Sequence, residues 1–69
     1  MQQVDHRDAV VRALSSLSPR QRAAIVLVDV LDLSSDQAGE VLGIKAATVR
    51  VLAARGRATL AKEMSETDE

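Results

Sequence analysis

The 69-residue chain has no cysteine, phenylalanine, tyrosine or tryptophan, and only one proline, three glycines and one histidine. Each absence removes a class of function. Without cysteine there is neither a disulfide framework nor a thiolate metal site. With His6 as the single histidine, zinc sites built on histidine clusters are excluded too. No cofactor is expected, and His6 reads as structurally neutral. Without aromatic rings there is nothing for unpaired bases to stack on, which argues against most single-strand and RNA-binding platforms. No apolar run is long enough to span a bilayer, and no basic-then-apolar segment opens the chain. A cytoplasmic protein with no membrane partner is therefore expected. Catalysis lacks its usual parts. Asp36 and Glu40 stand one helical turn apart, but no pocket residues accompany them. The chain reads as a non-enzyme with no small-molecule substrate.

The charge is unevenly placed. The net charge of −1 argues at first against nucleic acid. Yet residues 1–28 carry Arg7, Arg12, Arg20 and Arg22 against Asp5 and Asp8, and residues 29–40 carry only the acids Asp29, Asp32, Asp36 and Glu40. Residues 45–62 then hold Lys45, Arg50, Arg55, Arg57 and Lys62 with no acid, before an acidic tail of Glu63, Glu66, Asp68 and Glu69. One local basic element is what a DNA footprint requires.

Apolar residues recur at helical spacing throughout, and nothing alternates as a strand would. The pattern predicts an all-α fold: a small four-helix domain containing a helix-turn-helix, with an ordered core over about residues 5–63 and an acidic tail over 64–69. The first helix spans residues 5–17, with Val10, Leu14 and Leu17 on its inner face and Val11 beside them. Ser18 caps the second helix and Pro19 takes its first position, where no N–H is needed. That helix runs over residues 19–31 with two apolar stripes. One is Ala24, Leu27, Val28 and Leu31; the other is Ala23, Val26 and Val30. The expected cover for the second stripe is the first helix, and the alternative is a partner protein. A short third helix over residues 35–42 is capped by Ser34 or Ser35, carries Asp36 in its first turn and turns Ala38, Val41 and Leu42 inward. Gly43 suits the left-handed position that ends a helix, and Ile44 plugs the core. A fourth, basic helix starts near Lys45 and reaches about Met64. A short helix, a tight glycine turn and a longer basic helix make the helix-turn-helix pattern. The expected core is Leu14, Leu27, Val28, Leu31, Val41, Leu42, Ile44, Val49, Leu52 and Leu60.

Residues 17–60 resemble the C-terminal, region-four promoter-binding domain of bacterial sigma factors of the extracytoplasmic-function class. The resemblance is carried by Leu17, Arg20, Gln21 and Arg22, by Leu33 and Ser34, and by Gly39, Glu40, Val41, Leu42 and Gly43. It continues through Thr48, Val49 and Arg50 to Arg55, Gly56, Arg57 and Leu60. It implies a sequence-specific module of a transcription initiation factor. Such a module binds double-stranded promoter DNA at the minus-35 element, contacts the RNA polymerase core and is a target for an anti-sigma factor. The upstream domain of an intact sigma factor has no counterpart here, so the chain reads as a fragment or a stand-alone module. Val51 and Leu52 stand where the family often has Ser-Arg, Lys45 where a capping serine or a proline is common, and Ala47 where glycine is common.

At 100° per residue, Val49, Leu52, Ala53, Gly56 and Leu60 form the core face of the fourth helix. The opposite side is centred on Ala47, Val51, Ala54 and Ala58, with Arg50 and Arg57 on one flank and Arg55 and Lys62 on the other. Small residues in the middle permit close approach to base edges and can touch thymine methyl groups, while flanking cations reach phosphates. The DNA-binding residues expected are Lys45, Ala47, Thr48, Arg50, Val51, Ala54, Arg55 and Arg57. Arg50 is placed for a bidentate base contact, and Lys45 and Thr48 for a phosphate at the helix start. The expected partner-binding residues are Ala23, Val26 and Val30. The alternative function is a protein-interaction module of the same fold that binds polymerase or an anti-sigma factor with weak or no DNA binding. A response-regulator helix-turn-helix shares the Thr48-Val49-Arg50 step, but Arg55-Gly56-Arg57 favours sigma.

Overall fold

Two Ser-x-x-Gln steps start the two middle helices in the same way. In the computed structural model, which describes the backbone of residues 2–68 and the side chains of residues 7–65, Ser18 Oγ accepts from the Gln21 backbone N–H at 3.1 Å. Gln21 Oε1 in return accepts from the Ser18 N–H at 3.1 Å. Ser34 and Gln37 repeat the exchange at 3.0 and 2.9 Å. Each box satisfies donors that a helix start leaves open.

The order is α1 (Gln2–Ser15), α2 (Pro19–Ile25), a π-helical turn (Val26–Val30), α3 (Ser35–Leu42) and α4 (Ala46–Asp68), with no strand among the described residues. α4 is the common support: α1, α2 and α3 all pack against it. Its helix runs beyond the Met64 that the sequence suggested. His6 lies outside the residues whose side chains are described. Arg22 reaches back from α2 to close the end of α1, its Nε donating to the Leu14 carbonyl and its Nη2 to the Leu17 carbonyl, both at 3.2 Å.

The core is made of small residues. Ala9, Ala13, Leu17, Ala24, Ile25, Ala38, Val49 and Ala53 are buried, with Leu14, Leu27, Val28, Leu33, Ile44, Leu52 and Leu60 packed half-buried around them. Leu42 is also half-buried. On α1 the buried residues are Ala9 and Ala13, with the expected Leu14 half-buried and the expected Leu17 buried just past its end, whereas the expected Val10 and Val11 are exposed. Alanines let α1 approach α4 more closely than valines would. Ile25, which belongs to neither expected stripe of the second helix, is buried at the α4 crossing. A Cβ on Gly56 would stand 2.5 Å from its Cδ1.

Two expected core residues are exposed, Leu31 at 57% and Val41 at 64%. For Leu31 the cause is the π-helical turn, where the Leu31 N–H reaches the Val26 carbonyl at 3.0 Å instead of that of residue 27. One extra residue in a turn rotates the later residues by about 100° out of the α-helical phase. Leu33 folds back to the core instead, its N–H bonding the Leu27 carbonyl at 2.9 Å. For Val41 the cause is that α3 packs through Ala38, Gly39 and Leu42, whose centre lies about 100° round the helix. The second stripe of the second helix is also open, with Val26 37% and Val30 67% exposed. α1 sits on α4 and does not cover them.

Asp32 ends the π-helical turn with φ 61°, a left-handed conformation that an L side chain resists. Asp32→Gly is expected to stabilise the fold by about 0.5–1 kcal/mol, measured as a raised denaturant midpoint at unchanged slope. Gly39 is tighter in another sense: a Cβ there would meet the Ile44 carbonyl oxygen at 2.6 Å. Backbone must move to admit it, so Gly39→Ala is expected to cost on the order of 2–3 kcal/mol. At Gly56 an added Cβ would meet Ile25 Cδ1 and Cγ1 at 2.5 and 3.3 Å and Gln21 Cβ at 3.6 Å, side-chain atoms that shift more readily than backbone, and the change gains about 1 kcal/mol of helix propensity. Thermal unfolding should therefore show a much smaller loss for Gly56→Ala than for Gly39→Ala.

Candidate nucleic-acid interface

The turn between α3 and α4 is built from three residues. Gly43 takes φ 72° and ψ 34°, and its N–H and that of Ile44 both return to the Gly39 carbonyl, the latter at 2.9 Å. Ile44 turns into the core cluster between the two helices, as its apolar character suggested. Lys45 follows at the surface, and its carbonyl accepts the first α4 bond, from the Val49 N–H at 3.1 Å. The first turn of α4 carries no acidic residue. Its open N–H groups, the exposed Thr48 and the Lys45 ammonium form a local positive end.

Along α4 the two faces separate as their periodicity requires. Val49 is fully buried and Ala53 nearly so, with Gly56 buried and Leu52 and Leu60 half-buried. Ala47, Arg50, Val51, Ala54, Arg55, Ala58 and Lys62 are exposed, Val51 at 48%. An apolar strip of small side chains thus lies open between Arg50 on one side and Arg55 with Lys62 on the other.

Arg57 is differently placed. Its Nε donates to Asp29 Oδ2 at 2.8 Å and its Nη2 to Oδ1 at 2.9 Å, a fork-to-fork ion pair that joins α4 to the π-helical turn. The hydrogen bond from Arg57 outweighs the opposing cost of burial and, with a further contribution from its positive charge, holds the Asp29 carboxyl below the usual carboxylate range. The same bond raises the Arg57 pKa. Asp29 was legible only as part of an acidic run. Nothing local in the sequence pairs it with a cation 28 positions away. Arg50 and Arg55 have no comparable partner among the described residues.

A second surface lies away from this strip. Pro19, Ala23, Val26, Leu27, Val41 and Leu42, with Arg22 at the edge, line an open, largely apolar cavity of about 430 Å³. Ala23 and Val26 of the expected partner-binding set belong to it; Val30 is exposed outside its lining. Val41, expected in the core, contributes to this wall. Among the described residues, no group of His, Asp and Glu could hold a metal ion, and no helix is long and apolar enough to cross a membrane.

The family model for sigma-70 region 4 matches residues 7–60, a span that contains the helix-turn-helix and every candidate residue above except Lys62. The chain belongs to the sigma-70 region 4 family. It is 49% identical over 59 residues to the ECF RNA polymerase sigma factor SigE of Mycolicibacterium smegmatis, covering 80% of this chain and 23% of that protein. It is 43% identical over 60 residues to the ECF RNA polymerase sigma factor SigM of Mycobacterium tuberculosis, covering 87% of this chain and 31% of that one. SigG of the same species is 43% identical over 54 residues, covering 78% and 15%. The chain therefore spans less than a third of the length of these curated relatives. No solved structure matches. In this region 4 domain α3, the glycine turn and the longer basic α4 follow one another in the order of a helix-turn-helix.

Because Asp29 and Arg57 are both substantially exposed, their pair is worth no more than about 1 kcal/mol. A carboxylate with a lowered folded-state pKa stabilises above its unfolded value and loses that stabilisation as pH falls through the lowered one. The stability difference between the wild type and Arg57→Ala should thus be small at neutral pH, persist in mild acid and vanish below the usual carboxylate range. Urea titrations across that range measure it.

Proposed function

We propose that this region 4 domain reads promoter DNA as part of a transcription initiation factor, binding the minus-35 element through α4 and the RNA polymerase core through a separate apolar surface. The observation that carries the reading is the exposed face of α4, where the Ala47, Val51, Ala54 and Ala58 strip lies open between cations. A helix in the major groove has a phosphate strand on either side, and small residues at its centre bring the backbone close to base edges. Arg50, one turn inside the helix, takes the bidentate base contact, most naturally guanine. Lys45 and Thr48 hold a phosphate at the helix start, and Arg55 reaches one further along. Arg57 completes the expected set only when it leaves Asp29. The domain works in the cytoplasm, where its DNA lies, and performs no catalysis.

A second reading has its own observation. The cavity walled by Ala23, Val26 and Val41 is largely apolar and open, and no residue of the α4 strip lines it; concave, mostly apolar surfaces commonly serve as binding sites. It supports contact with the polymerase core, or with an anti-sigma factor that competes for the same wall. The neighbouring Val30 extends the apolar surface.

Base reading and phosphate holding separate by substitution. Arg50→Ala should cost on the order of 1–3 kcal/mol on the preferred duplex and relax preference at one base pair. Arg55→Ala should weaken preferred and scrambled duplexes alike and flatten the salt slope by roughly one unit. Binding of each variant to both duplexes at several salt concentrations is the measurement. Equal losses on both duplexes for Arg50→Ala would make Arg50 a phosphate contact. No change for any variant would turn α4 away from DNA and leave the protein-interaction reading.

A further inference from the structure

Arg57 lies on the same flank of α4 as Arg50, seven residues and about 10.5 Å further along the axis. From there a free guanidinium would track the same phosphate strand. It is not free: Asp29 takes its Nε and Nη2 donors at 2.8 and 2.9 Å with the geometry a phosphate would use. We propose that Asp29 is a built-in competitor for phosphate at Arg57, which sets the DNA affinity of α4 below what its four cations would give. The inference rests on the reading of α4 as the DNA-facing helix.

Two features make this a competition and not a buried clamp. Arg57 and Asp29 are 50% and 36% exposed, so the pair is hydrated and a phosphate can reach the guanidinium. The pair is also intramolecular, presented by the π-helical turn at no cost of association, so an incoming phosphate must displace an anion already in place. A neutral pair releases no counterions when DNA arrives, and each cation so silenced removes about one unit of salt dependence. Arg50 and Arg55, without such an acid among the described residues, keep theirs. Asp29 thereby weakens phosphate holding while leaving the Arg50 base contact alone, and makes the domain depend more on its other attachments to reach a promoter.

The test is a two-by-two cycle on the full chain: wild type, Asp29→Asn, Arg57→Ala and the double variant, with fluorescence anisotropy on a scrambled duplex of about three helical turns. Asp29→Asn keeps the side-chain size and removes the charge. The proposal expects it to bind several-fold tighter than wild type at about 50 mM salt, with a slope steeper by about 0.9, so that its advantage shrinks about threefold by about 200 mM. Arg57→Ala should bind with the wild-type slope, and the gain from Asp29→Asn should largely disappear in the Arg57→Ala background. An equal gain in both backgrounds is simple removal of a negative charge and overturns the proposal. So does a slope flattened by about one in Arg57→Ala alone, since Arg57 would then already hold a phosphate. The Arg57→Ala slope remains decisive if circular dichroism shows that Asp29→Asn does not fold. Wild-type protein that binds the duplex without salt dependence would defeat the DNA-facing reading itself, a different result from either of these.

Discussion

How closely α2 crosses α4 governs the rest of this molecule. Ile25 seats against Gly56, where even a methyl group would stand 2.5 Å from its Cδ1, and the surrounding contacts are made by Ala24, Val49 and Ala53. A chain without aromatic rings has no large side chain with which to fill space between helices. It reaches interior density by bringing backbones together, because a gap of a fraction of an ångström already forfeits much of the dispersion attraction. Gly39 makes the same bargain at the α3–α4 turn, against the Ile44 carbonyl. Small domains bury a limited share of their surface, so the fold depends on these close approaches more than on any one bulky residue.

The way α4 is held decides which of its sides faces outward. With Val49, Ala53 and Gly56 committed to the interior, the strip of Ala47, Val51, Ala54 and Ala58 is left open, and Arg50 and Arg55 are carried to its edges. The apolar cavity between the start of α2 and the end of α3 is a second product of the same packing. It exists because α1 covers α4 instead of α2, leaving Ala23 and Val26 beside the outward-turned Val41. On the proposed reading, DNA and a protein partner would occupy surfaces that share a framework and no residues.

The π-helical turn connects the two halves of this arrangement. Its altered phase sends Val30 and Leu31 to the surface and ends in the left-handed Asp32, while Asp29 meets Arg57. An α-helical continuation would have carried Leu31 toward the core. The turn therefore trades apolar burial for an exposed apolar edge and a charge pair on α4, and π-helical turns of this kind are frequent at functional sites.

What the sequence alone determined was whatever depends on neighbours along the chain. Ser18 and Ser34 mark helix starts through bonds to residues three positions on, Pro19 suits a first helical position where no N–H is needed, Gly43 marks a left-handed end, and the 3.6-residue period of Val49, Leu52, Ala53, Gly56 and Leu60 separates the two faces of α4. The cations that flank the exposed strip and the chain's resemblance to sigma region 4 follow from the same local information. Tertiary structure decided what depends on distant residues. The inner face of α1 is Ala9 and Ala13 instead of Val10 and Val11 because closeness to α4, and not side-chain size, selects it. Leu31 and Val41 face water because the π-helical turn shifts the phase of one and the narrow contact of α3 leaves out the other. Arg57 is held by Asp29 across 28 residues, since a charge finds its partner by distance in space, which composition and periodicity do not encode.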